Sequence, residues 1–244
     1  MHNYLKNHLK IKIDSFTCRK RYIHLIIFAM KQEQNTMTDS DLFKGGTLLP
    51  LMEEFYSLQG EGFNTGLASY FIRIGGCDIG CSWCDSKRSW QADRHPLVEV
   101  NDIISRVLET PSRALLVTGG EPSLYDLKYL TEQAKSNGLE LFIETSGAYK
   151  LTGKWDWICL SPKKQNPPLT EFYNKADELK VIIHEPDDFI WAEEVASQVH
   201  EDCQLFLQPE WSRKDEMTKE IIRYIKKNPD WRISMQTHKV WGIP

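Results

Sequence analysis

The chain has 244 residues, 41% hydrophobic and 26% charged, with a formal net charge of −4. That supplies enough apolar material for one sizeable core and excludes a broad basic footprint for coating nucleic acid, although local basic groups can still grip a small anion. Six cysteines in an unpaired pattern, without a secretory signal, point to a reducing cytoplasm.

Residues 1–36 differ from the rest of the chain: they carry Lys6, Lys10, Lys12, Arg19, Lys20 and Arg21 and one apolar run, 23–30, too short to span a bilayer. With acidic Asp14 and no small residues near a cleavage point, this stretch reads as an N-terminal extension, and 37–244 as a single domain. From about Glu53 short apolar runs alternate with amphipathic windows. Residues 69–74 predict a strand, and Val100, Ile103, Ile104, Val107 and Leu108 one helix face. A strand over 114–117 is followed by a helix through Leu124, Leu127, Leu130 and Ala134, with Ser123 as its N-cap and Asn137-Gly138 as its end. Further strands are expected at 141–143, 157–160, 179–183, 205–207 and 233–235, with helices over about 187–199 and 215–227. Strand, helix, strand is the order of a parallel sheet, and six or seven strands are too few for an eightfold barrel. The expected fold is an α/β incomplete TIM-type barrel.

Polar motifs fall at the C-terminal ends of these strands. Cys77, Cys81 and Cys84 follow the first, T-G-G-E-P (118–122) the second and E-T-S-G (144–147) the third. S-P-K (161–163) follows the fourth, L-Q-P (207–209) the sixth and T-H-K (237–239) the last. In parallel α/β folds those ends converge on one face, so one central site is expected. Three cysteines within eight residues suit an iron–sulfur cluster with one metal atom left open; structural zinc would need a fourth Cys or His. No second C-x-x-C occurs, and Cys18, Cys159 and Cys203 are isolated, as small buried hydrophobes are.

C-x-x-x-C-x-x-C with Trp83 before its third cysteine, followed one strand later by G-G-E-P, resembles the radical S-adenosylmethionine superfamily. The resemblance implies a radical SAM core in which Cys77, Cys81 and Cys84 hold a [4Fe-4S] cluster. Its open iron would chelate S-adenosyl-L-methionine, and electron transfer would release a 5′-deoxyadenosyl radical. Gly119 and Gly120 would let the backbone approach the methionine moiety. Within the superfamily, F-Y-S-L-Q-G-E-G (55–62), R-I-G-G-C (73–77), S-P-K and the terminal Q-T-H-K-V-W-G-I-P (236–244) are similar to the 7-carboxy-7-deazaguanine synthases. That likeness covers about 55–244 and implies radical ring contraction of 6-carboxy-5,6,7,8-tetrahydropterin to 7-carboxy-7-deazaguanine with loss of ammonia. The implied enzyme is a carbon–nitrogen lyase of the queuosine and 7-deazapurine route to modified tRNA.

Carried onto this sequence, the resemblance places Leu58, Gln59, Gly60, Glu61, Arg73, Thr118, His238 and Pro244 at the pterin, with Glu61 accepting from its N–H groups and Arg73 clamping its carboxylate. Trp83, Cys84, Asp85, Gly120, Ser161, Pro162, Lys163 and Gln208 would bind S-adenosylmethionine, Gln208 at its ribose or adenine. No catalytic side chain is implied beyond the cluster and cofactor. The family uses Mg2+ at a threonine after C-D; here Ser86 stands there and offers the same hard oxygen. Also implied are an electron donor such as flavodoxin or ferredoxin and a homodimer, with no direct nucleic acid or membrane partner. Bland readings stand beside two of these residues: an ion pair inside the barrel for Arg73 and a solvated charge for Lys163. Two other function classes remain open. A glycyl-radical activase would leave L-Q-G-E-G and T-H-K idle; a non-catalytic iron–sulfur or zinc module would leave G-G-E-P and S-P-K idle.

Overall fold

Apolar residues two apart in sequence stand on the same side of a strand, and the expected strands bury theirs accordingly. In the computed structural model, which describes residues 43–244, these strands are β2 (Ala68–Ile74), β4 (Ala114–Gly119), β5 (Glu140–Thr145), β6 (Trp157–Leu160), β7 (Glu178–Ile183), β8 (Gln204–Pro209) and β9 (Trp231–Ile233). The extension read over 1–36 lies outside the described residues. β2 and β4–β9 run parallel, the seven strands of an incomplete barrel.

Two further strands escaped the sequence. β1 (Leu48–Leu58) and β3 (Leu97–Glu99) extend the sheet to the order β3-β1-β2-β4-β5-β6-β7-β8-β9, and both of their pairings are antiparallel. Pro50, the Glu53-Glu54 pair and a register shift between Leu51 and Glu53 break the alternation that announces a strand. F-Y-S-L is therefore the end of β1 rather than a segment ahead of the first strand. The last strand also starts two residues earlier than expected, because Trp231 already pairs with Leu205.

The outer face of the sheet packs on helices α1 (Val100–Leu108), α2 (Lys128–Ser136), α3 (Thr170–Tyr173), α4 (Asp188–Ala196) and α5 (Lys214–Ile225). Ile72, Ile74, Leu115, Val117, Leu141, Ile143, Leu160, Leu179, Val181, Ile183 and Leu207 form one continuous core with α1 Val100, Ile103 and Val107 and α5 Met217 and Ile221. Each such side chain contributes about 1.5–3 kcal/mol by leaving water. Leu108, expected on the buried face of α1, is exposed. The helix expected from Leu124 begins only at Lys128, and Ser123 does not cap it. The Glu121 carboxylate instead accepts from the Ser123 N–H and hydroxyl, closing a 3-10 turn over Pro122–Leu124. Gly138, in the left-handed region at φ 74°, ends α2 as expected. A short C-terminal helix, α6 (Thr237–Trp241), follows β9. Among the described residues no helix is long and apolar enough to cross a membrane.

Candidate functional site

The inner face of the same strands carries a small apolar layer, Phe71, Ala114, Leu116 and Phe142, with Phe55 and Trp157 packed against it. One step further along each strand the side chains become polar. Arg73 of β2 is in register with Thr118 of β4, Glu144 of β5 with Cys159 of β6, and Cys159 with Glu178 of β7. Alternation turns Lys180 and Gln208 the same way, and Arg73, Thr118, Glu144, Lys180 and Gln208 all line a cavity of about 260 Å³.

The β1–β2 loop enters this cavity from the side. Glu61 is held by three donors: Lys180 Nζ at 2.6 Å and Gln208 Nε2 at 3.1 Å on Oε2, and Gln236 Nε2 at 2.9 Å on Oε1. Burial opposes its charge, but the Lys180 ammonium and these hydrogen bonds win, and the Glu61 carboxyl is held down at about 2. Lys180 also reaches Glu144 Oε1 at 3.3 Å, where Gln59 Nε2 donates at 3.0 Å. Among the described residues Glu144 Oε2 accepts only from the Thr118 hydroxyl, at a long 3.5 Å. One buried lysine thus sits between two carboxylates, leaving surplus negative charge and an under-used acceptor on the cavity wall.

On the other side lies the cysteine loop. Cys77, Cys81, Trp83, Cys84, Asp85 and Ser86 all line the cavity. Gly119 and Gly120 have a local reason: a Cβ on Gly119 would lie 2.1 Å from the Ile74 carbonyl oxygen, and one on Gly120 2.1 Å from that of Gly76. These glycines press the end of β4 against the start of the cysteine loop, where the N–H groups of Gly120 and Glu121 donate to those same two carbonyls at 2.8 Å. Glu121 is buried and accepts from Ser123, Thr145 and Ser146, so it ties the ends of β4 and β5 together. Cys81 Sγ accepts from Gln165 Nε2 at 3.1 Å and Cys84 Sγ from the Ser86 N–H at 3.4 Å.

These residues fit an iron–sulfur cluster. Three thiols from one loop share one cavity wall with N–H donors aimed at two of the sulfurs, a pattern that suits thiolate ligands. Burial pushes the Cys77 and Cys81 thiols up, and the charges of the neighbouring cysteines add to it, a cost that iron held by these thiolates would offset. Among the described residues no three or more His, Cys, Asp or Glu side chains, the three cysteines included, stand close enough to hold a single metal ion.

The C-terminal segment bridges the two sides. The Thr237 N–H and hydroxyl donate to the Gly60 carbonyl at 2.9 and 2.8 Å, and the Ser57 hydroxyl donates to the Pro244 carbonyl at 3.3 Å. Gln236 Nε2 and Lys239 Nζ reach Asp85 Oδ2 at 3.1 and 2.7 Å. His238 packs so tightly on Gly60 that a Cβ there would lie 2.4 Å from Nδ1, and burial lowers its pKa.

Every site residue read from the sequence lines this cavity except Pro162, which is buried beside it. Gln208, expected at the ribose or adenine, has its amide engaged by Glu61 and by the Ser234 hydroxyl at 2.6 Å. Glu61, expected as a free acceptor, already serves three protein donors. Arg73 Nε pairs with Glu53 Oε1 at 2.6 Å, an exposed ion pair and not the one inside the barrel of the bland reading, while its side chain lines the cavity. Lys163 is no solvated charge: its Nζ donates to the Ser161 hydroxyl at 2.8 Å and lies 5.8 Å over the Trp83 ring. Sequence reading missed the roles of Lys180, Glu144 and Gln236. A charged residue inside the otherwise apolar run L-K-V-I-I was the available signal for Lys180.

Comparison with known proteins agrees with this geometry. Residues 71–156 match the model of the Radical SAM superfamily. A 7-carboxy-7-deazaguanine synthase of Flavobacterium psychrophilum is 54% identical over 82% of this chain and 94% of its own length. One from Synechocystis is 44% identical over 80% and 93%. The crystal structure of QueE from Escherichia coli superposes with a TM-score of 0.71 at 29% identity, covering 82% of this chain and 98% of that one. The chain belongs to the 7-carboxy-7-deazaguanine synthase family of the radical SAM superfamily.

Proposed function

We propose that this chain converts 6-carboxy-5,6,7,8-tetrahydropterin to 7-carboxy-7-deazaguanine with loss of ammonia, a carbon–nitrogen lyase reaction on the route to queuosine. The observation that carries the reading is the charge layout across three adjacent strands. Arg73 of β2 is in register with Thr118 of β4, and Glu144 of β5 lies one residue beyond the Val117–Ile143 pair, so the strands that bear the guanidinium and the carboxylate stand two spacings of about 4.8 Å apart. A flat bicycle with a carboxylate at one end and N–H donors at the other matches that span and polarity.

Arg73 would take the substrate carboxylate, and Glu144 and Glu61 the N–H edge. Glu61, ionised throughout the neutral range, is an acceptor there and not a proton donor. The Thr237 and Pro244 hydrogen bonds tether the C-terminal segment to Gly60 and Ser57 at the cavity, where His238 and Pro244 line its wall. Cys77, Cys81 and Cys84 would hold the cluster, with Trp83, Asp85, Gly120, Ser161, Pro162, Lys163 and Gln208 around S-adenosylmethionine. When bound, that pair supplies one-electron chemistry able to take a hydrogen atom from carbon. The Ser86 hydroxyl is the proposed Mg2+ contact, with the substrate carboxylate as the other. A one-electron donor such as flavodoxin or ferredoxin, a homodimer, a cytoplasmic setting and 37–244 as the functional unit complete the reading and rest on the family resemblance and sequence pattern.

The test is direct. Anaerobically reconstituted, reduced protein given 6-carboxytetrahydropterin, S-adenosylmethionine and Mg2+ should form 7-carboxy-7-deazaguanine and ammonia, detected by mass spectrometry; no such product overturns the reading. Ser86→Ala should weaken magnesium stimulation, and unchanged stimulation removes Ser86 from the site.

A further inference from the structure

Lys180 is one of the most enclosed cations of the described chain, yet it lies within strand β7 and belongs to none of the loop motifs. It is 3% exposed, and its ammonium is 2.6 Å from Glu61 Oε2 and 3.3 Å from Glu144 Oε1. A lysine needed only to cancel a buried carboxylate would pair with one; here it joins a loop carboxylate to a strand carboxylate, and both line the cavity. We infer that Lys180 is a positioning residue that sets substrate specificity: it aligns Glu61 and Glu144 as an acceptor-only wall, selecting a 2-aminopyrimidinone edge over an edge that presents a carbonyl.

Each partner supports this. Glu61 cannot turn away, because Gln208 and Gln236 hold it from β8 and the C-terminal segment. Glu144 is fixed through Oε1 by Gln59 and Lys180, which leaves Oε2 toward the cavity with one long hydrogen bond. Other charged or titratable groups that bear on the trio are Cys159 and Glu178 from β6 and β7, Lys163 from the S-P-K loop, and Asp85, His238 and Lys239 at the cysteine loop and C-terminal segment. None of them replaces Lys180 between the two carboxylates. Without its ammonium, the burial that already opposes charge on Glu61 prevails, and one carboxyl takes up a proton and becomes a donor.

The inference rests on the pterin reading above, and the experiment separates the two. Binding is measured by titration calorimetry on cluster-loaded, unreduced protein with S-adenosylmethionine, so that no turnover occurs. The ligands are 6-carboxypterin and 6-carboxylumazine, which differ in 2-amino against 2-oxo, at pH 6 and pH 8.5. Wild type should prefer the pterin by at least about tenfold at both pH values, the scale expected of a site built to receive N–H groups. Lys180→Met should lose most of that preference at pH 6 and recover part of it at pH 8.5; Lys180→Arg should restore it at both. Wild type that binds neither ligand overturns the pterin reading and this role with it. Wild-type pterin binding with the preference unchanged in Lys180→Met overturns the role of Lys180 alone. Should Lys180→Met not fold, Glu61→Gln serves instead: it should lose the preference equally at both pH values, and retention overturns the inference.

Discussion

On β7, Leu179, Val181 and Ile183 turn outward into the helix layer while Glu178, Lys180 and Ile182 turn into the lumen. The contrast repeats on β5, with Leu141 and Ile143 outward and Phe142 and Glu144 inward. The outer face is one large apolar core, in which any residue of similar size and hydrophobicity serves. The inner face has only a thin apolar layer, above which nearly every side chain has a named polar partner. Stability resides chiefly on one side of the sheet and selectivity on the other, so substitutions two residues apart and those one residue apart should behave differently.

The largest effect is expected where chemistry depends on one loop. Cys81→Ser should abolish product formation and lower the iron bound after reconstitution, while the thermal unfolding of the iron-free protein stays near wild type. A variant with full iron content and turnover would sink the cluster assignment. Next comes the outer face: Leu141→Ala should lower stability by about 2–5 kcal/mol in denaturant titrations and leave the pterin KM unchanged in the folded enzyme. Its inner-face counterpart, Glu144→Gln, should do the opposite, raising KM about tenfold or more with little change in midpoint, since a hydrogen bond to a charged group is worth about 1.5–3 kcal/mol. If both variants moved the same observable, the division between the two faces would be wrong.

Acid unfolding sharpens the comparison further. Because the folded Glu61 carboxyl sits at about 2 against an ordinary 4.5, it adds stability that is complete above pH 4.5 and lost as pH falls toward 2. Glu61→Gln should therefore flatten the stability profile across that window, as followed by circular dichroism, and an unaltered acid transition would contradict the Lys180–Glu61 pairing. The smallest effect is expected at the rim. Lys239 and Asp85 pair at 2.7 Å, but the Asp85 side chain is 55% exposed, so Lys239→Met should cost below about 1 kcal/mol and show more in ligand dissociation rate than in melting temperature.

Much of the site is legible in the amino-acid order, because loop chemistry is local. The three cysteines, G-G-E-P, S-P-K and T-H-K each occupy a few consecutive residues, and the rule that parallel strands gather their C-terminal ends on one face joins them. The strand sites are harder to see. Glu144 is visible within E-T-S-G yet has no partner there, and Lys180 looks like one polar interruption of a buried run. β1 is hidden by Pro50, its two glutamates and its register shift, so the pairing that brings Glu53 to Arg73 is hidden with it.

The amino-acid order by itself determined the alternation of strands and helices, the cysteine loop and the glycines behind it, since each depends on neighbours a few residues apart. Tertiary structure alone decided that Lys180 lies between carboxylates 119 and 36 residues away, and that Gln236 joins Glu61 to Asp85. Charge pairing across a lumen is a property of register and closure: a one-residue slip of β7 would turn Lys180 into the helix layer and leave two carboxylates of the cavity wall without their cation.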